Sequence, residues 1–275
     1  MLSKTSKDLI GIIIIVLFII IGISLFYYFQ THKTDDINET SGCEQSGPSG
    51  YYVIVVDNTN KLSFIQQEDI KNRIWDIIDN ALPNDKIVVY SLGNMSKDNS
   101  NVEKINPLVE KCPSRDGSKA NKWIANPEKL KKQKKERFDK PIKRALEGII
   151  KREQDSKFSP IIELLQKIKV TVLHKVTAEN KKKYASDKTS IEIHLFSDLL
   201  QHSPNFSFYR NDNLTRFLKS KKFNKVSSNL EEIKIIIWQL INSNFKAKGS
   251  KILYDFESIL RKMKVGELER RNIEG

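Results

Sequence analysis

From Leu9 to Phe29 the chain reads LIGIIIIVLFIIIGISLFYYF, twenty-one residues without a charge. Wound as a helix this run is about 30 Å long, the thickness of a bilayer's hydrocarbon core. A segment apolar on every side has no polar stripe to turn towards water, so it constrains the chain more than any motif does. It is read as a membrane anchor over residues 9–30, limited by Leu9 and Phe29. Tyr27 and Tyr28 stand at its far end, where aromatic rings favour the interface, and Lys4 and Lys7 precede it. The run exceeds a signal peptide's apolar region and no small-x-small site closes it, so it is expected to stay on the protein. The small excess of lysine before it predicts residues 1–8 in the cytoplasm and the remainder periplasmic or extracellular.

Cysteine usage agrees with that compartment. The chain has two cysteines, Cys43 and Cys112, both beyond the anchor and both in turn-like contexts, SGCEQSG and EKCPSRDG. An oxidising compartment lets them pair. Residues 31–50 are polar, lack periodicity and read as a tether.

Charged residues at 29% and hydrophobic ones at 39% then describe an ordinary globular domain, placed at 51–265 with 266–275 as a C-terminal tail. YYVIVVD is a continuous apolar run of strand length, the kind buried on both faces of a parallel sheet. Leu62, Ser63 and Gln66 then fit a staple, an N-cap and a capping-box partner, and Ile70, Ile74, Trp75, Ile77 and Ile78 follow at helical spacing. IVVYSLG, 87–93, is a second strand, and 101–109 a candidate short one. Residues 111–155 read as a basic, largely helical insertion. Ser159 and Pro160 start a helix as cap and first-turn proline. IEIHLFSD, 191–198, and LEEIKIIIWQL, 230–240, are further strands, and SKILYDFESILRKM closes the domain as an amphipathic helix. Strands alternating with helices predict a Rossmann-like α/β fold with a mostly parallel sheet, preceded by one transmembrane helix.

In such sheets ligands bind outside the carboxyl ends of the strands, where strand order reverses. Asp57 and Asp198 each close a strand, so adjacent strands would bring the two carboxylates together. Thr59 and Ser159 supply further oxygens, and an oxygen-only set suits Mg²⁺, Ca²⁺ or Mn²⁺.

The order of these parts resembles von Willebrand factor A-like domains. Their metal-ion-dependent adhesion site uses D-x-S-x-S after the first strand, a Thr before a later helix and an Asp after the fourth strand. Asp57 and Thr59 in DNTNK, Ser159 in FSPII and Asp198 in LFSDLL take those positions. The resemblance spans about residues 51–265 and implies a protein-binding module that receives a partner's acidic residue on a cation. One position departs: Lys61 ends the motif, and an ammonium cannot ligate a cation.

Competing chemistry is thin. His32, His174, His194 and His202 are scattered, without zinc-ligand spacing, and His194 falls inside a strand as a packing residue. No nucleophile elbow, Walker loop or G-x-G-x-x-G occurs. Two alternatives stand beside the binding module. One is a membrane-tethered metal-dependent hydrolase using Asp57 and Asp198. The other is a nucleic-acid binder, if the topology is inverted, because the net charge is +13. Outside the membrane, nucleic acid is an unlikely partner and the basic excess suits anionic lipid headgroups, envelope polymers or an acidic protein.

Overall fold

A computed structural model describes residues 4–31, 37–45, 47–94, 102–113, 126–150, 156–180, 190–241 and 248–273. They belong to two compact units, residues 1–36 and 37–275. The described part of the first is one helix, α1, Lys4–Thr31. Within it Gly11–Tyr28 has a mean hydropathy of 2.7, so α1 is long and apolar enough to cross a membrane.

The second unit is an α/β layer structure. Its strands are β1 (Gly50–Val56), β2 (Lys86–Ser91), β3 (Val109–Lys111), β4 (Ser190–Ser197), β5 (Ile233–Gln239) and β6 (Glu267–Asn272). They form one sheet in the order β3-β2-β1-β4-β5-β6, parallel throughout except for the antiparallel β3. This is a doubly wound order, and it supplies the mostly parallel, Rossmann-like sheet that the sequence predicts. The period of two decides which core each side chain joins. Val53 and Val55 pack under the helices α5 (Ile161–Asn180), α6 (Leu214–Leu218), α7 (Lys221–Val226) and α8 (Gly249–Lys262). Ile54 and Val56 face the opposite way, towards α2 (Phe64–Asn80) and α4 (Lys140–Ile150).

Local signals account for most of these elements. Ser63 caps α2 with both arms of a capping box to Gln66, and Ile70, Ile74, Ile77 and Ile78 form its buried stripe. His194 is packed in β4 as expected: its Nδ1 accepts from the Trp238 indole at 3.2 Å, and its Nε2 lies 2.6 Å from Glu192.

The basic insertion is helical where it is described, as expected: it forms α3 (Pro127–Lys134), a π-helical turn (Lys135–Asp139) and α4, while 114–125 and 151–155 lie outside the described residues. Three expectations need correction. Residues 102–109 hold a 3₁₀ turn, Val102–Lys104, and the strand begins only at Val109. The expected tail contains β6, whose sequence ELERRN is too charged to read as a strand. It is held by β5, with Lys234 bridging Glu267 at 3.2 Å and also Glu269. The turn into it needs Gly266, where a Cβ would lie 2.2 Å from the Glu231 carbonyl oxygen.

The third correction concerns the tether, which from residue 37 onward is folded onto the domain. Ile37 and Glu44 form an antiparallel bridge. Cys43 and Cys112 form the expected disulfide, with Cα atoms 4.9 Å apart, and it fastens this segment to the end of β3. Cys112 N–H donates to the Ser41 carbonyl at 2.9 Å, Glu44 N–H to the Asn84 side chain at 2.8 Å, and Lys111 to the Thr40 carbonyl.

Candidate functional site

The chain runs from β1 outward to β2 and β3, then returns to place β4 on the other side of β1. The switch point of the sheet is therefore between β1 and β4, and the crevice outside their carboxyl ends is where this topology gathers loops. Register pairs Val56 with Phe196, and Asp57 N–H donates to the Phe196 carbonyl at 2.8 Å. The residue after each strand is consequently brought to the same edge.

Asp57 is 4% exposed and is a hydrogen-bond hub. Its Oδ1 accepts from the Thr59 hydroxyl at 2.6 Å and the Thr59 N–H at 3.2 Å. Its Oδ2 accepts from the Ser197 hydroxyl at 2.7 Å and the Ser159 hydroxyl at 3.0 Å. A carboxylate offers about four lone-pair positions, so Asp57 is saturated by groups from three separate stretches of the chain. Asp198 stands one residue beyond Ser197; its Oδ1 accepts from Leu200 N–H at 3.1 Å and its Oδ2 from the Asn60 side-chain amide at 3.1 Å. The same amide reaches the Tyr209 hydroxyl at 3.4 Å. Thus Asp57, Thr59, Ser159 and Asp198 all come to one edge, and Lys61 stands exposed in the loop beside them.

Several residues of this site were not found by sequence reasoning. Ser197 was read only as strand, although it donates to Asp57 and accepts from Leu199 N–H at 2.8 Å, the turn residue with φ of +62°. Ser159 is expected both as a helix cap and as an oxygen of the site; its hydroxyl serves Asp57, and the Ile162 N–H at the start of α5 donates to the Gln201 side chain at 3.0 Å. Asn58, 2% exposed, secures the base of the loop by accepting from Ser91 and Gly93 and donating to the Ile149 carbonyl. Only Ser197 had a sequence signal, as the residue before a strand-ending aspartate.

The loop 198–213 is the platform that aims these groups. Ser159 and His202 exchange backbone hydrogen bonds at 2.9 and 2.8 Å, which fixes the approach to α5. His202 stacks on Phe158, meets Tyr209 edge-on, and shares a 2.6 Å hydrogen bond with Ser207. Burial holds the Tyr209 phenol above its ordinary range against the hydrogen bond from Asn60, with Asp198 and Asp57 adding to the rise. Burial, with the Arg210 charge nearby, lowers the His202 pKa. The unfolded chain then takes up a proton that folded His202 refuses, so stability is expected to fall as pH drops below about 6.5. Urea midpoints at about pH 7.5 and about pH 5.5 test this, with His202→Gln expected to flatten the difference. An unchanged slope in that variant would assign the acid sensitivity to other groups.

The donor set fits a small hard cation only in a particular way. Among the described residues no three His, Cys, Asp or Glu side chains gather as a metal cluster. Asp57 has no acceptor position left. The Thr59 and Ser159 hydroxyls, however, give their protons to Asp57 and so keep oxygen lone pairs, and Asp198 adds a carboxylate. Two hydroxyls and one carboxylate completed by water are a set that Mg²⁺ accepts, because it retains several waters.

No protein-family model matches the chain, and no curated protein matches it. Among solved structures it is similar to the ArnB paralog VWA2 of Sulfolobus acidocaldarius, with 14% identity over 82% of this chain and 42% of that one, TM-score 0.32. A second is the manganese-loaded TRAP protein of Plasmodium vivax, with 10% identity over 75% and 63% of the two chains, TM-score 0.34. A third is an aerotolerance-related membrane protein of Bacteroides fragilis carrying multiple mutations to serine, with 12% identity over 81% and 91%, TM-score 0.34. The chain thus spans less than two thirds of the first two. Likeness of this degree carries no weight by itself; the fold rests on the strand order.

Proposed function

We propose that the chain is a membrane-anchored, von Willebrand factor A-like binding module, an adhesion or assembly component of a cell envelope. Its switch-point edge would take a partner's carboxylate through a divalent cation held by Thr59, Ser159 and Asp198. The observation that carries this reading is the hydroxyl cluster on Asp57, which orients two of the three proposed ligands from different parts of the chain before any cation arrives. When bound, the cation supplies a positive centre to which an acidic side chain can ligate. Asp57 acts behind it by keeping the hydroxyl protons turned inward.

The surroundings suit a protein partner. Phe64 is 76% exposed, and Ile65 and Ile241 are exposed as well. Gln66 donates to the Ile241 carbonyl at 2.9 Å, which links the start of α2 to the end of β5 beside these side chains. Exposed apolar side chains bordered by polar groups are a composition that contact surfaces share.

The geometry favours binding over hydrolysis. The serine–histidine side-chain pair found near the edge among the described residues, Ser207 and His202, is a turn anchor: Ser207 is fully buried and its oxygen also accepts from Tyr209 and Arg210 N–H. A hydrolase on Asp57 and Asp198 would need Asp57 open to metal or water, and its acceptor positions are filled. The disulfide supports an oxidising location for the second unit, with residues 1–8 cytoplasmic and the C-terminal domain periplasmic or extracellular.

Calorimetric titration of the full chain with Mg²⁺, Mn²⁺ and Ca²⁺ is the deciding experiment. Saturable binding in wild type, reduced at least about tenfold by Asp198→Ala, is expected, a loss of about 1.4 kcal/mol or more with the one charged ligand. Absence of saturable binding to all three ions would overturn the cation-bridged reading. Metal-dependent ester turnover lost in Asp57→Asn with Asp198→Asn would support the hydrolase instead.

A further inference from the structure

The segment from α3 to α4 carries nine basic against four acidic residues between positions 126 and 150. Its inner side is a single apolar stripe: Phe138, Ile142, Leu146 and Ile149 are buried in the core beneath α2 and α4. A π turn inserts one extra residue and re-phases a helix. Here it falls at Lys135–Asp139, so that Phe138 joins the stripe of α4 and the lysines on either side remain outside. Lys129, Lys131, Lys132, Lys135, Lys140 and Lys143 are all exposed. Lys140 pairs along the helix with Glu136 at 2.7 Å. Nothing in the proposed binding edge uses this surface.

Two further observations say what it meets. First, α4 packs on β3, and the disulfide with its flanking hydrogen bonds fastens residues 37–49 to the end of that same strand. The helix that carries the cationic face thus packs on the same strand whose end holds residues 37–49. Second, only residues 32–36 separate the folded segment from α1, a join of about 20 Å at full extension. A basic surface attached so closely to a membrane-spanning helix is more often within reach of headgroups than of any soluble polyanion.

We propose that the outer face of α3, the π turn and α4 is a docking surface for anionic phospholipid headgroups, a second attachment of the domain to the membrane that carries it. Each lysine or arginine held near an anionic leaflet contributes about 1 kcal/mol, and the attraction decays over about 10 Å, so salt releases it. This surface is independent of the cation-dependent edge, and either can fail alone.

The test uses the full chain in nanodiscs of phosphatidylcholine alone or with about 30% phosphatidylglycerol, footprinting lysines with a neutral acetylating reagent and mass spectrometry. Lys129, Lys131, Lys132, Lys135, Lys140 and Lys143 are expected to lose reactivity about threefold or more in the anionic discs, and to regain it at about 0.5 M salt. Lys221 and Lys251, on α7 and α8, serve as internal references and are expected not to change. Lys131→Gln with Lys132→Gln and Lys135→Gln should reduce the lipid-dependent protection of the lysines that remain. Equal reactivity in both discs, or equal loss at the reference lysines, overturns the proposal. So does protection in neutral discs by soluble polyphosphate that matches or exceeds that of the anionic lipid.

Discussion

Replacing Asp57 by alanine is expected to lower the melting temperature by about 10 °C. The substitution strands three hydroxyls and one backbone N–H that now share a carboxylate at 4% exposure. Leaving buried donors unmade costs about 1–3 kcal/mol each before relaxation, and breaking such a network falls in the upper part of the mutational range, about 3–4 kcal/mol. A domain of this size loses roughly 2–4 °C per kcal/mol. Asp57→Asn is the informative companion. It keeps an acceptor for Thr59 and presents an amide towards Ser159 and Ser197, whose hydroxyls can rotate to receive it. Its thermal cost should be less than half that of alanine, while the hydroxyls lose the carboxylate that orients them and cation affinity drops. Equal melting shifts for the two variants would show that the negative charge, not the pattern of hydrogen bonds, maintains the edge. A shift below about 3 °C for alanine would mean that water replaces the carboxylate readily.

Much of this arrangement could be read from the residues because its signals are local. YYVIVV and IEIHLFS are long apolar runs whose ends are marked by aspartate, so the strands and the positions of Asp57 and Asp198 followed together. The capping box of Ser63 and Gln66 has a fixed spacing and was equally plain. What escaped depends on partners far apart in sequence. Ser197 meets Asp57 across 140 positions, and Tyr209 meets Asn60 across 149. The helix-start donor at Ile162 is satisfied by Gln201 rather than by the adjacent Ser159, a choice made by the folded loop and not by helix propensity. β6 escaped for another reason. At an edge, a strand gains from its one neighbour and can carry charge on both faces, so its composition resembles a solvated tail.

The second large effect concerns the covalent link. Cys43 and Cys112 are 69 residues apart, and in the chain-entropy model closing such a loop stabilises the fold by about 4 kcal/mol. Cys43→Ser with Cys112→Ser, or reduction of the wild type, is therefore expected to lower the melting temperature by roughly 10 °C. The substitution should also increase amide exchange through residues 38–49, because their remaining attachments are a few hydrogen bonds to Asn84, Lys111 and Cys112. The denaturation midpoint in the presence and absence of reductant measures the first effect, and exchange mass spectrometry the second. A shift under about 3 °C would mean that the reduced chain retains the loop in its unfolded ensemble or that those hydrogen bonds suffice.

The same link has a mechanical meaning. On the function proposed above, the domain would be pulled at one end by a membrane anchor and at the other by a partner. Tension arriving through Ile37 reaches Cys43 and can pass across the sulfur bridge to Cys112, bypassing β1, α2, β2 and β3. Asp198 and Tyr209, on the gripping edge, lie beyond Cys112 in the chain. For a load that reaches the edge through Asp198 or Tyr209, about 240 Å of contour length between the two cysteines stays hidden until the bridge is cut.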